Sequence, residues 1–191
     1  MSGTGPNSRC ALGFLTVVDS AKHGLFGGFL LLNAGGRPLE FHCTAPVKPN
    51  RAQRILYGPT LRPYLYGEQI GGVLVAKAAV TPALLLTDLA DVLAVRSHGG
   101  PPAALVLSEG ESVKDPHEST PAITLRIDPP HRRSPMLTSF RIGPHRLAVT
   151  DEFASDRQLL AKIMEPLADF DLFEPFGRIR EAIEEAGRGN R

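Results

Sequence analysis

The densest cluster of unusual residues that could bind a ligand or take part in chemistry falls within residues 39–71. This segment holds all three tyrosines of the chain, one of its two cysteines and three arginines, in a sequence with only 6% aromatic residues. Its spacing matches no motif that dictates a reaction, so we expect a functional surface here without a defined chemistry. The candidate binding residues are Arg51, Arg54, Tyr57, Arg62, Tyr64, Tyr66 and Glu68, and the candidate reactive residues are His42 and Cys43.

The pair His42-Cys43 suggests a thiol activated by an imidazole, because a catalytic cysteine needs a base that lowers its pKa. However, side chains alternate along a strand, so Leu39, Phe41 and Cys43 share one face while His42 lies on the other. The two neighbours therefore cannot be partners. The alternation predicts that Cys43 is a buried, inert thiol on an apolar face.

Arg51 and Arg54 lie one helical turn apart, so both guanidinium groups can point the same way. With Lys48, Arg62 and the nearby tyrosines they could hold a phosphate, a carboxylate or single-stranded nucleic acid. The alternative is a solvated helix face whose arginine stems cover apolar surface. In both cases we expect the two arginines to lie off a core-facing stripe of Ala52, Ile55 and Leu56.

Tyr64 and Tyr66 are two residues apart, which separates them by about 200° around a helix. We expect one of them to pack inward and the other to join Tyr57 on an exposed or pocket-lining surface. Neither glycine-rich phosphate-loop motif is present, so Gly67 and Gly71 are expected to allow close packing of another element.

A second basic cluster follows, consisting of Arg126, His131, Arg132, Arg133, Arg141, His145 and Arg146. It could bind an acidic partner, although exposed basic loops are most often only solvated. The histidines are too irregularly spaced for metal ligands. Because the common hydrolase and metalloprotease motifs are absent as well, we expect neither a metal nor a cofactor.

The elements that must position these residues indicate an α+β fold with a mixed sheet. Short β-rich runs at 11–18, 28–33 and 38–44, separated by glycine turns, predict an antiparallel meander. A capping box at Asn50 and Gln53 predicts a short helix, followed by a second, irregular helix from Pro63 to about Ala78.

The second half of the chain has the strand–helix–strand order of a parallel crossover at 82–107. An acidic loop at 108–119 and strands at 123–127, 137–142 and 146–150 follow. A capping box at Ser155 and Gln158 predicts a helix that ends near Pro166, and a last helix begins at Pro175 with Phe176, Ile179 and Ile183 facing the core.

Composition sets the limits of function. An apolar fraction of 42% with 21% charged residues is typical of a globular protein, and we expect one domain over residues 11–187 after a flexible tail over 1–10. A net charge of +1 draws the whole protein to no particular partner. Two cysteines, no leader-like start and no uninterrupted apolar run of about 18 residues indicate a soluble, cytoplasmic protein.

The leading hypothesis is a non-catalytic binding or assembly module that uses the Arg- and Tyr-rich surface of residues 46–71. A protein partner or self-association is favoured over nucleic acid, and membrane binding is not expected. The alternative is an enzyme acting on a small anionic or phosphorylated substrate, with Arg51 and Arg54 as anion clamps. RNA binding is a weaker alternative, and the sequence leaves the choice between enzyme and binder open.

Overall fold

A computed structural model describes residues 11–108 and 136–189 of the chain. The N-terminal tail, most of the predicted acidic loop and the predicted strand at 123–127 lie outside the described residues. Seven strands form one mixed sheet in the order β3-β2-β1-β4-β5-β7-β6. They are β1 Leu12–Ser20, β2 Gly24–Leu32, β3 Pro38–Cys43, β4 Leu84–Thr87, β5 Ala103–Leu107, β6 Leu137–Ile142 and β7 His145–Thr150.

The N-terminal meander is confirmed, because β1, β2 and β3 pair antiparallel. The β2 strand begins four residues earlier than the sequence predicts, since Gly27 and Gly28 lie inside the strand and not in a turn. Gly28 has a packing role there. A Cβ at this position would lie 2.2 Å from Cγ2 of Ile179, so glycine allows the last helix to approach the sheet.

The parallel crossover is also confirmed. Strand β4 pairs in parallel with both β1 and β5, so these three strands end at the same edge of the sheet. The connection from β4 to β5 contains a 3₁₀ turn at Ala90–Leu93 and α4 at Ala94–Ser97. The C-terminal strands β6 and β7 then add antiparallel to β5.

One face of the sheet is covered by a helical run that follows α1 (Arg51–Tyr57). The run consists of α2 (Leu61–Pro63), a π-helical segment (Tyr64–Gly71) and α3 (Gly72–Lys77). Ile70 and Leu74 of this run pack with Leu15, Phe29 and Leu31 of the sheet. The predicted irregular helix is therefore present, and a π-helical segment accounts for its irregularity.

The opposite face is covered by α5 (Asp156–Met164) and α6 (Glu174–Gly189). Phe176 contacts Phe14 edge to face at 5.6 Å, and Ile179 is fully buried beside it. The predicted inward face of the last helix is confirmed. The molecule is thus a three-layer arrangement with helices on both sides of the sheet.

Helix α5 differs from expectation at its start. Ser155 precedes it with helical backbone angles (φ −64°, ψ −26°) and makes no capping hydrogen bond through its side chain. A capping side chain needs an extended backbone, and the preceding 3₁₀ turn at Asp151–Phe153 leads into the helix without one. The capping-box prediction at Ser155 and Gln158 is wrong, whereas the end of the helix before Pro166 is confirmed.

Candidate functional site

The segment after β3 extends along the sheet edge and delivers α1 to one end of the sheet. Thr44 N–H donates to the Gly27 carbonyl at 3.0 Å, and Val47 and Leu25 exchange two backbone hydrogen bonds at 2.8 and 2.9 Å. These bonds place Lys48 beside the start of β2. Residues 44–47 are therefore anchored to β2 by backbone hydrogen bonds and do not form a free loop.

Helix α1 has the predicted N-terminal cap. The Asn50 side chain accepts from Gln53 N–H at 2.8 Å, and the Gln53 side chain accepts from Asn50 N–H at 3.0 Å. Gly58 ends the helix with a φ of 49°, which favours glycine. The predicted capping box is confirmed.

The predicted core-facing stripe of α1 is wrong. Ile55 is 69% exposed, Leu56 is 82% exposed, and α1 buries none of its residues. At 100° per residue, Gln53 and Tyr57 share the other side of the helix, and both are half-buried. The polar side faces the protein because the helical run already covers the sheet, which leaves no apolar surface for Ile55 and Leu56.

The exposed side of α1 carries five residues. In order around the helix they are Arg54, Arg51, Ile55, Ala52 and Leu56. Cationic side chains occupy one flank of the exposed side and apolar side chains the other. We call Arg51, Arg54, Ile55 and Leu56 the α1 surface. In the described part of the chain neither arginine forms an ion pair.

The expected division between Tyr64 and Tyr66 is confirmed in part: one packs inward and the other joins Tyr57, but Tyr57 and Tyr64 are half-buried and do not line the cleft at the end of β1, which Tyr66 does. Tyr66 is buried, with 5% of its surface exposed, whereas Tyr64 is half-buried and stacks on Tyr57 with ring centroids 4.1 Å apart. Burial raises the pKa of Tyr66, so its phenol stays neutral at ordinary pH. The pKa of Tyr57 is raised by its hydrogen bond with Tyr64. The Tyr57–Tyr64 stack fastens the end of α1 to the helical run.

Arg62 and Glu68 each form an ion pair with a residue outside the segment 39–71, and Arg62 also lies over the ring of Tyr66. The Arg62 guanidinium lies 5.0 Å from the Tyr66 ring centroid, and its Nε is 3.1 Å from a carboxylate oxygen of Asp91. Glu68 pairs with His98 at 3.3 Å. Their charges are therefore shared with neighbours, unlike those of Arg51 and Arg54.

His42 and Cys43 lie on opposite faces of β3, as the alternation predicts, but the buried and exposed faces are reversed. Cys43 is an exposed free cysteine, and Phe41 is 40% exposed. His42 Nε2 lies 2.9 Å from Oε2 of Glu40, whose carboxylate accepts backbone N–H groups of Ala79 and Val80 at 3.0 and 2.9 Å. The prediction of a buried Cys43 is wrong, because the inner face of this edge strand is the polar one.

A cleft of about 690 Å³ opens where β1 ends. Its walls come from several elements. The residues around it include Asp19 and Ser20 at the end of β1, Leu89 after β4, Lys48, Arg54, Arg62 and Tyr66. Of the predicted binding residues the cleft brings together Arg54, Arg62 and Tyr66, whereas Arg51, Tyr57, Tyr64 and Glu68 are not part of its lining. Sequence reasoning missed Asp19, although a carboxylate directly after a buried strand was a usable signal.

A smaller cavity of about 370 Å³ is lined by Pro63 and by three carboxylates, Asp91, Asp151 and Glu152, among other residues. It contains none of the predicted binding residues. Of the second basic cluster, Arg126 and the residues at 131–133 lie outside the described residues. Arg141 and Arg146 face each other across β6 and β7, and a ring nitrogen of His145 lies 3.2 Å from the Leu167 carbonyl oxygen.

No protein-family model and no curated protein sequence matches this chain. Within residues 11–108 and 136–189, no cluster of three or more His, Cys, Asp or Glu side chains could hold a metal ion. Over the same residues, no helix is both long and apolar enough to cross a bilayer.

Proposed function

We propose that the protein is a non-catalytic binding module that recognises an acidic partner protein through the α1 surface. The observation that carries this proposal is the exposure of Ile55 and Leu56, at 69% and 82%, on a helix with no buried residue. Exposed apolar side chains next to one another mark interaction sites. An amphipathic helix that offers anchors at i, i+3 and i+4 is also a common recognition element.

The charge of the segment supports an acidic partner. Between Glu40 and Glu68 the sequence contains no Asp or Glu, while Lys48, Arg51, Arg54 and Arg62 all fall there. Complementary charge speeds encounter and suppresses wrong partners. The guanidinium groups of Arg51 and Arg54, which form no ion pair within residues 11–108 and 136–189, are available for bidentate bonds to carboxylates.

The same charge argues against self-association through this surface. A two-fold contact would place α1 of one molecule against α1 of another, so that arginines would face arginines. Like charges across an interface are unfavourable. A different, acidic partner fits the surface better than a second copy.

The geometry supports binding over the alternatives of catalysis and RNA recognition. His42 and Cys43 point to opposite faces of β3, and neither lies among the cleft residues. Tyr57 and Tyr64 stack on each other, which occupies ring faces that a nucleic-acid base would need. Protein recognition uses the side chains that remain exposed.

Peptide display tests the proposal. A random dodecapeptide library selected on the purified protein should yield sequences that combine Asp or Glu with Leu, Ile or Phe. A synthetic selected peptide, measured by fluorescence anisotropy, should lose roughly fivefold or more in affinity with Ile55→Ser or Leu56→Ser, since anchors of an interface typically contribute more than about 1 kcal/mol.

Leu159→Ser is the matched control, because Leu159 is also an exposed leucine on a helix (45%) but lies on the opposite layer. It should leave peptide affinity unchanged. Arg51→Gln should weaken binding and reduce its dependence on salt concentration. Selected peptides without acidic residues, or peptides that bind the Leu56→Ser protein as tightly as the original, would contradict the proposal.

A further inference from the structure

The cleft at the end of β1 is a second candidate site, independent of the apolar side of α1. Strands β1 and β4 are parallel, and the cleft lies beyond the end of β4: Thr87, the last residue of β4, pairs with Leu15, whereas β1 continues to Asp19 and Ser20, which line the cleft. In sheets with parallel strands, ligands commonly bind beyond the carboxyl ends of those strands. The volume of about 690 Å³ is also within the range of small-molecule sites, roughly 300–1,000 Å³.

The inner wall of the cleft is apolar. Val17, Leu25 and Leu65 line it and are each less than a tenth exposed. The Tyr66 ring adds aromatic surface, and its neutral hydroxyl can donate a hydrogen bond. This wall suits the apolar body of a ligand.

Charged groups surround the cleft, and the cations are in excess. Arg62 is paired with Asp91, which leaves Lys48 and Arg54 as cations without an ion pair in the described part of the chain. Lys48 Nζ donates to the Lys22 carbonyl at 2.9 Å, which holds it at the β1–β2 turn without neutralising its charge. Asp19 is the one carboxylate among the cleft residues.

We propose that this cleft binds a small molecule that carries a carboxylate, phosphate or sulfonate on an apolar body. The anionic group would bind Lys48 and Arg54, and the body would lie against Val17, Leu25 and Leu65. The Asp19 carboxylate repels the anionic group of the ligand, which limits the affinity of ligands that carry only negative charge. The site differs from the α1 surface, with Arg54 the one residue common to both.

The probe for this site is 1-anilinonaphthalene-8-sulfonate, an apolar dye with one anionic group. Its fluorescence should rise on binding to the full chain, and its neutral relative N-phenyl-1-naphthylamine should bind about tenfold more weakly, which is the ratio expected when one charge-assisted contact is lost. Decanoate and decyl phosphate should displace the dye, whereas decylamine should not. Comparing the two anions distinguishes a carboxylate site from a phosphate site.

Variants at the β1–β2 turn locate the dye. Ala21 is exposed and lines the cleft, so Ala21→Trp should fill the cleft and abolish binding. Lys22 is the next residue along the turn and lies outside the lining, so Lys22→Trp is the steric control and should bind normally. Lys48→Gln should weaken binding by about fivefold to tenfold, Lys22→Gln should not, and Asp19→Asn should strengthen it.

Ile55→Ser and Leu56→Ser separate this proposal from the function proposed for α1. Both should retain dye binding, since neither residue lines the cleft. If the dye does not bind, or if it binds Ala21→Trp and Lys48→Gln as well as the original protein, the cleft is not the site. Loss of dye binding with Leu56→Ser but not with Ala21→Trp would place the dye on the α1 surface and overturn the inference.

Discussion

The side chains of β3 show which face of this edge strand is covered by the helical layer and which is exposed. Glu40 and His42 point toward the helical layer, where Glu40 accepts the N–H groups of Ala79 and Val80 just beyond α3. Leu39, Phe41 and Cys43 point to the other face, where all three are exposed. A carboxylate with three hydrogen-bond partners is stable in a half-buried position, so the polar side chains can face inward.

The exposure of Cys43 leads to the first prediction. In a Cys10→Ser background, Cys43 should react with an aromatic disulfide reagent in the folded protein about as readily as it does after unfolding, because the thiol is already accessible. Absorbance of the released thiolate measures the rate. The double variant lacking both cysteines should give no signal, and a reaction that begins only in denaturant would show that Cys43 is buried.

At the scale of elements, the helical run packs closely against α4 through its glycines. A Cβ at Gly67 would lie 2.6 Å from Cβ of Ala94 and 2.8 Å from the backbone N of Val95. At Gly72 the nearest atom would be the Gly67 carbonyl oxygen, 3.9 Å away. The expected close-packing role is therefore confirmed at Gly67. At Gly71 a Cβ would lie 3.1 Å from the Tyr66 carbonyl oxygen and at an ordinary contact distance of 3.5 Å from Cβ of Val95, and Gly72 has space for a side chain.

This difference gives a matched pair of variants within one helical run. Gly67→Ala should destabilise the protein by about 1–3 kcal/mol, because the backbone of α4 must move to admit a methyl group. Gly72→Ala should stabilise it by about 0.5–1 kcal/mol, since alanine is the better helix former and meets ordinary contact distances. Urea unfolding measures both. Equal effects of the two substitutions would show that close packing at Gly67 does not limit stability.

At the scale of the whole molecule, Glu40 ties the edge of the sheet to the end of the helical layer. The hydrogen bond with His42 lowers the pKa of the Glu40 carboxyl below its ordinary value of 4.5, and the hydrogen bond from the Ala79 N–H makes the next largest contribution in the same direction. A carboxyl whose folded pKa is depressed stabilises the protein fully above the unfolded pKa. This contribution is lost as pH falls through the folded value.

Glu40→Gln should therefore be less stable than the original protein at pH 7, and the difference should shrink as pH falls below 4.5. Thermal unfolding followed by circular dichroism across this pH range measures the difference. Glu181→Gln, on the exposed side of α6, is the control and should show little effect at any pH. A Glu40→Gln penalty that stays constant down to pH 3 would mean that the carboxylate charge is not the source of stability.

Local signals in the sequence determined much of the architecture. The glycine turns predicted the meander, and the Asn50–Gln53 box predicted the start of α1. Pro166 predicted the end of α5, and the spacing of Phe176, Ile179 and Ile183 predicted the inner face of α6. Each of these depends on interactions between residues close in sequence, or on a periodic pattern of side chains. The α+β class with a mixed sheet followed from the order of these elements.

Tertiary structure alone decided which apolar faces are buried. Ile55 and Leu56 have the spacing of a core-facing stripe, and Leu39, Phe41 and Cys43 have the alternation of a buried strand face, yet both groups are exposed. A sequence pattern shows that one side of an element is apolar, but burial requires another element with free surface opposite that side. The helical run occupies the sheet face next to α1, and α6 packs chiefly against β1 and β2. The cleft has the same origin, because Asp19, Lys48 and Arg54 come together only when β1, β2 and α1 meet at one end of the sheet.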